Sequence, residues 1–190
     1  MVSLIKPGAK LLQVDGPSIE TARLILRPWR ATDIARNTVM LGDPEVARFI
    51  TPDRKPVTSE QNGWRNAAII SGHWALHGFG MFAVEEKASG DYVGRVGPWY
   101  PPGWPGFEVG WAITPDRQGR GYAVEAARAA IDWVFANFTV DRIIHCIDAA
   151  NAASQGVARR LGAENEGPGQ LNDHVVDIWV TARDRWRNGS

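Results

Sequence analysis

The segment Gln118-Gly119-Arg120-Gly121-Tyr122-Ala123 joins an alternating apolar run ending at Ile113 to a helical run beginning at Gly121. A strand, a short polar loop and a helix in that order aim a row of free backbone N–H groups at one point, where the helix dipole also favours negative charge. Gly119 and Gly121 permit the close backbone approach that a phosphate requires. The segment reads as a phosphate cradle; the other reading is a helix start eased by glycine, with no ligand. Metal and thiol chemistry are poorly supplied. His73 and His77 have the i, i+4 spacing of a metal pair, but no Glu follows His73 and no third ligand is evident, so both read as structural. Cys146, the single cysteine, lies in an apolar strand run and reads as a small buried hydrophobe rather than a nucleophile.

These residues need a frame. Residues 23–27 hold a short β-prone apolar run between two arginines that stops at Pro28, which predicts a strand. Helices are predicted from Thr32 or Asp33 to about Leu41, from Asp43-Pro44-Glu45 onward, and from a Thr58 or Ser59 cap to about Gly78. In the last of these, Trp64, Ala68, Ile69 and Trp74 recur at helical spacing. Strands are predicted over 81–86, 92–96 and 107–113, the first two joined as a hairpin by Ala88-Ser89-Gly90-Asp91. A helix over 121–138 follows, with a buried stripe of Ala123, Ala127, Ala130, Ile131, Val134 and Phe138 and a solvated face of Glu125, Arg128 and Asp132. A strand over 142–147, a helix from Asn151 to Leu161 ended by Gly162, and a strand over 174–181 complete the pattern. The expected fold is α/β (α+β), with helices on both faces of a mixed, mostly antiparallel sheet of six to seven strands. The parallel pair should be the strands over 107–113 and 142–147, joined by the 121–138 crossover.

Length and composition narrow the function. The chain has 190 residues, enough for one well-packed domain, and neither a repeat nor a linker divides it. Residues 1–19 read as a loosely ordered lead-in and 20–190 as the domain. Formal net charge is zero, so nothing argues for a nucleic-acid partner. No apolar run suits a signal peptide or a membrane span, and a lone cysteine fits a reducing, cytoplasmic setting. Trp99 and Trp104 fall in a Pro/Gly-rich stretch where they are placed to line a pocket.

The segment from Gln118 to Ala123 matches the Q/R-x-x-G-x-G/A signature of the GNAT superfamily of N-acetyltransferases. Glu20-Thr21-Ala22-Arg23-Leu24-Ile25-Leu26-Arg27-Pro28 resembles the first strand of its ribosomal-protein N-terminal acetyltransferase (RimJ/RimL-like) branch. Glu108-Val109-Gly110-Trp111-Ala112-Ile113 resembles that branch's motif strand; Asn151-Ala152-Ala153-Ser154 and Arg160-Leu161-Gly162-Ala163 look like its later motif. The resemblance runs from about Thr21 to Arg183.

It implies acetyl-CoA (CoA) as cofactor. The pyrophosphate would rest on backbone N–H groups from Gln118, Gly119, Arg120, Gly121, Tyr122 and Ala123, with Arg117 and Arg120 nearby. Pantetheine would lie between two splayed parallel strands, along Trp111, Ala112 and Ile113, with Asn151 as helix cap and hydrogen-bond partner. Glu108 matches the position of a catalytic glutamate in family members; the other reading is a solvent-side carboxylate. A base is needed because an amine is mostly protonated at neutral pH. Many members carry a tyrosine where this chain has Ala158, which leaves Ser154 as the candidate donor to the departing thiolate, or a helix-surface serine.

The implied reaction moves an acetyl group to a primary amine, a protein N-terminus or a small molecule, by direct attack in a ternary complex. The acceptor groove is expected from residues 29–58, 100–106 and 167–173. The resemblance implies neither a metal nor a membrane partner and leaves room for a homodimer. Two other readings stand beside it. The missing tyrosine at Ala158 keeps open a non-catalytic acyl-CoA-binding sensor on the same fold. Gly119-Arg120-Gly121-Tyr122-Ala123-Val124 with Asp148 is a partial match to an NAD-binding oxidoreductase, but the third glycine is Val124 and a meander precedes the unit.

Overall fold

The computed structural model describes residues 16–188. Most of the expected lead-in lies outside the described residues, and the sheet begins at Ile19, the last residue assigned to it. Strands β1 (Ile19–Glu20) and β2 (Leu24–Arg27) pair antiparallel. Helices α1 (Asp33–Gly42), α2 (Pro44–Ile50) and α3 (Glu60–His77) follow. Asp43 caps α2 by accepting from the N–H groups of Glu45 and Val46, with Pro44 at the first helical position. Ser59 caps α3 at its start, and Gly78 closes it at φ 74°, a left-handed conformation that glycine adopts without a Cβ penalty.

Strands β3 (Phe82–Glu86), β4 (Tyr92–Trp99) and β5 (Glu108–Ile113) form the expected antiparallel meander. Helix α4 (Tyr122–Asn137) carries the chain over to β6 (Arg142–Ile147), which lies parallel to β5. Helix α5 (Ala152–Arg160), strands β7 (Glu164–Leu171) and β8 (His174–Ala182), and helix α6 (Arg183–Asn188) complete the chain. The sheet order is β1-β2-β3-β4-β5-β6-β8-β7.

The two faces of β5 have different cover. Val109 and Ile113 pack into the core that α4 makes with Val93, Val96, Ala127 and Ile131. Ala112, on the opposite face, is buried by Met40 and Leu41 of α1 and Val46 of α2. This alternation places Glu108, Gly110 and Ala112 on the α1–α2 side.

Three local expectations change. The sheet has eight strands, because β1 and β7 join it. Strand β7 contains Gly167, Pro168 and Gly169 and has little strand propensity. It sits at the sheet edge, where proline is tolerated, and Gly169 leaves room for Ile178, which a Cβ there would meet at 2.5 Å. The inner face of α3 is Gly63, Ala67, Ile70 and His73, whereas Trp64 and Ile69 are 57% and 62% exposed. Close packing of α1 on α3 selects the small residues, since a Cβ on Gly63 would collide with Thr38. On α4, Ala127, Ala130, Ile131 and Val134 are buried as expected, joined by Tyr122, Ala126 and Phe135, whereas Ala123 and Phe138 are only partly buried and Glu125 is drawn out of solvent.

Candidate functional site

The strand, polar loop and helix of the expected cradle follow one another in the structure, with the loop shaped largely by backbone. After β5 the chain makes one 3-10 turn over Pro115–Arg117, and the Gln118 side chain folds back to donate to the Ile113 carbonyl at 3.0 Å. Gly119 and Gly121 hold φ angles of 74° and 81°, where an L side chain is strained. The first helical bond runs from the Glu125 N–H to the Gly121 carbonyl. Among the described residues, the six N–H groups from Gly119 to Val124 have no protein acceptor.

A brace from the other end of the chain fixes this loop. Arg23 of the β1–β2 hairpin donates to the Arg120 carbonyl at 2.9 Å and to the Glu125 carboxylate through Nε at 2.7 Å. The Thr21 hydroxyl donates to the same carboxylate at 2.6 Å.

Two side chains expected at the cradle turn away from it. Arg117 pairs with Glu86 at 2.6 Å and Asp91 at 2.9 Å, so its charge is already matched. Tyr122 is buried, with its hydroxyl donating to Glu86. Tyr122 reaches the cradle through its backbone alone, whereas the N–H groups of Arg117 and of Gln118, expected in the cradle, are taken by the Thr114 and Pro115 carbonyls. Arg120 is exposed, with one long bond to the Asp116 carbonyl at 3.3 Å.

At the other end of β5 the sheet forks. Strands β5 and β6 share one register pair, Glu108 with Ile144, where the Ile144 N–H donates to the Phe107 carbonyl at 2.9 Å. In a continued parallel ladder, the next rung would run from the Cys146 N–H to the Val109 carbonyl. Side chains take both ends of that rung instead. The Cys146 N–H donates to Glu108 Oε1 at 3.1 Å, and His145 Nδ1–H donates to the Val109 carbonyl at 2.7 Å. Beyond the fork, the stretch through Trp111, Ala112 and Ile113 has no ladder partner on its β6 side.

Burial sets the protonation of the fork. It pushes the Glu108 carboxyl up to about 7, against the opposing pull of the Trp104 indole N–H on Oε2 at 2.5 Å and the Cys146 N–H on Oε1. Burial pulls His145 down to about 4, so the ring is neutral at pH 7. A carbonyl can only accept, so Nδ1 carries the proton and Nε2 accepts from the Thr181 hydroxyl at 2.9 Å. Burial, with Glu108 beside it, pushes the Cys146 thiol well above its ordinary value and makes it a poor nucleophile.

Helix α5 points its first turn toward the open lane. Asn151 caps it by accepting from the Ser154 N–H at 3.0 Å, which leaves the Asn151 amide N–H groups uncommitted. The Ser154 hydroxyl accepts from the Trp111 indole N–H at 3.3 Å and keeps its own proton to donate. Ala158 is fully buried against Ile147, Ala163 and Trp179, a space too small for a tyrosine without displacing the indole.

The other candidates are structural. His73 bonds the Phe79 carbonyl at 2.7 Å and stacks on Trp99 with ring centroids 4.5 Å apart. Among the described residues no group of three or more His, Cys, Asp or Glu side chains could hold a metal ion, and no helix is long and apolar enough to cross a membrane. Sequence reasoning did not single out His145 or Arg23. A histidine in the apolar run Arg142–Ile147 is the signal for the first; the second depends on a contact about a hundred residues away in the chain and carries no local signal.

The sequence model described as Acetyltransferase (GNAT) domain matches residues 23–164. YnaD of Bacillus subtilis (strain 168), an uncharacterized N-acetyltransferase, is 36% identical over 61 residues; the match spans 32% of this chain and 36% of that protein, about a third of its length. An acetyltransferase from Agrobacterium tumefaciens str. C58 has a similar structure, with TM-score 0.79, 24% identity, and coverage of 93% of this chain and all of that one. RimL, the ribosomal L7/L12 alpha-N-protein acetyltransferase in complex with coenzyme A, has TM-score 0.72 and 18% identity over 88% of this chain and 99% of its own.

Proposed function

The chain belongs to the GNAT acetyltransferase family, and from that premise we propose that it transfers an acetyl group from acetyl-CoA to a primary amine. Acetyl-CoA supplies the acetyl group as an activated thioester. The residues present fit it. Six free N–H groups at the start of α4 suit a pyrophosphate, and the open lane beside Trp111 and Ile113 suits an extended arm. Asn151 is placed to donate an amide N–H to that arm.

Glu108 holds the reaction's proton. Its carboxyl, poised at about 7, takes the proton from the attacking amine at an oxygen already oriented by Trp104 or Cys146. Ser154 would donate a hydrogen bond from its hydroxyl to the departing thiolate while keeping its proton. Cys146 offers no competing nucleophile, which supports direct attack in a ternary complex over an acyl-enzyme. The observation that carries the proposal is the placement of the cradle and the Glu108 carboxyl at opposite ends of one six-residue strand.

We place the acceptor in the class of protein N-termini and small-molecule amines, the first favoured by the segments that resemble the RimJ/RimL-like branch. Residues 20–190 would act as one catalytic domain in a cytoplasmic setting. The test is release of CoA thiol from acetyl-CoA with a panel of amines. Amine-dependent release is the expected result. The buried Ala158, with no hydroxyl to offer, supports a second reading as an acyl-CoA sensor; tight CoA binding with no release for any amine would establish it instead.

A further inference from the structure

Two buried arginines in this molecule have opposite company. Arg27 is 5% exposed and meets Asp33 through both terminal nitrogens at 2.8 Å and Glu85 through Nε at 2.7 Å. Arg95 is 6% exposed, and its protein bond is from Nη1 to the Asn66 side-chain oxygen at 2.7 Å. Among the described residues no carboxylate pairs with it, and burial pulls its pKa below the usual arginine value. A buried cation without an anion is strongly disfavoured. Its free nitrogens are not sealed, however. The described side-chain atoms that are both enclosed and unpartnered are His73 Nε2, Thr114 Oγ1 and Trp179 Nε1, none of them on Arg95. Solvent-sized groups therefore reach the guanidinium.

Its position relative to Glu108 follows from strand register. Trp99 pairs with Glu108, Gly97 with Gly110, and Arg95 with Ala112, and paired residues project from the same sheet face. Glu108 and Arg95 thus stand on the α1–α2 side with the facing glycines Gly97 and Gly110 between them. The Cε of Met81 lies 2.9 Å from where a Cβ on Gly110 would stand, and the backbone of Gly80 and Met81 lies about as close to where one on Gly97 would stand. The two residues are about 13 Å apart along the strand at about 3.3 Å per strand residue.

We propose that the acceptor carries a carboxylate, which Arg95 binds while the acceptor's amine stands at Glu108. The proposal rests on the acetyl-transfer reading and adds to it the class of acceptor. That separation, less the reach of the two side chains, suits an amine and a carboxylate separated by a short extended chain, either within a small amino acid or between the N-terminus and third side chain of a peptide. Met81, with three flexible torsions, lies over Gly110 on that path and must move to admit it.

The test uses matched acceptors that differ in one charge: 6-aminohexanoate against its amide, and Ala-Ala-Glu-amide against Ala-Ala-Gln-amide. In the parent protein, kcat/KM should favour the carboxylate roughly tenfold or more in at least one pair, which also identifies the source. In Arg95→Met that ratio should fall to about one, with Arg95→Lys between the two. Asn66 Oδ1 still accepts from the Asn37 amide at 3.1 Å when Arg95 is gone, so Arg95→Met should melt no lower than the parent. A parent ratio near one in both pairs, or an undiminished ratio in Arg95→Met, overturns the proposal. Where no amine supports thiol release, acetyl transfer itself fails, and the carboxylate site is read by melting with N-acetyl-Ala-Ala-Glu-amide. A rise in Tm that Arg95→Met loses supports the site; no rise in the parent overturns it.

Discussion

In the loop proposed as the cradle, the groups left free are backbone N–H groups, and side chains such as Arg23 and Gln118 hold the loop in place. At the fork, the side chains of Glu108 and His145 occupy positions that backbone groups would fill in an unbroken ladder. On the proposed function, the cradle would meet a charge that is always present and needs no titration. The fork would handle a proton, and it buries a carboxyl deeply enough to bring it to about 7. One strand therefore carries fixed electrostatics at one end and adjustable chemistry at the other. Variants at the two ends should separate binding from turnover.

Glu108→Gln should have the largest effect, a loss of turnover on the order of 10²-fold or more with CoA binding retained. The parent's rate should climb with pH through about 7, as the carboxyl becomes a base, and the variant should lack that limb. Stability should move the other way. The folded carboxyl has a pKa raised from its ordinary 4.5, so burial penalises the native state increasingly as pH rises from about 4.5 to about 7. Glu108→Gln should then be more stable than the parent at pH 8 by on the order of 3 kcal/mol, with little difference at pH 4. Urea melts at the two pH values check this; a variant less stable at pH 8 would remove the desolvated carboxyl from the account.

Gly121→Val should act on binding. At a CoA concentration about a hundred times Kd, ligand stabilises the parent by about 2.7 kcal/mol, and the variant should lose nearly all of it. The φ of 81° adds roughly 1–2 kcal/mol of strain whether or not ligand is present, so the readout is the CoA-dependent rise in Tm, not Tm itself. A normal rise would show that the six N–H groups do not hold the pyrophosphate.

Ser154→Ala sits between the two and should cost the least, roughly 1–3 kcal/mol of barrier or about ten- to a hundredfold in rate. The helix should keep its cap, because Asn151 accepts from the backbone N–H of residue 154, which alanine retains. Ser154→Thr should restore most of the rate. Parent-like turnover in Ser154→Ala would assign the thiolate's hydrogen bond to solvent.

How legible each end was follows from what it is made of. The proposed cradle depends on glycine spacing within six residues, a local signal, and the turn with Gly119 and Gly121 at positive φ forms there. The inward turn of Arg117 and Tyr122 was hidden, because their partner Glu86 lies more than thirty residues earlier. The fork depends on two strands that meet only after α4 has crossed the sheet. Glu108 was visible through family resemblance, but the exchange of ladder rungs with His145 was not. The inner face of α3 was obscured because large apolar residues recur on its outer side while Gly63 and Ala67 make the close contacts. Strand β7 was hidden by its glycines and proline, since pairing with β8 supplies what intrinsic propensity lacks.

The bond from Trp104 to Glu108 also gives the molecule an internal optical gauge. On excitation, indole shifts electron density from its five-membered ring toward its six-membered ring. A negative charge beside the pyrrole nitrogen stabilises that excited state and lowers the emission energy. With Oε2 at 2.5 Å from Nε1, discharge of Glu108 should move the Trp104 emission to shorter wavelength. The colour of one tryptophan would then report the protonation of the base before any substrate is added.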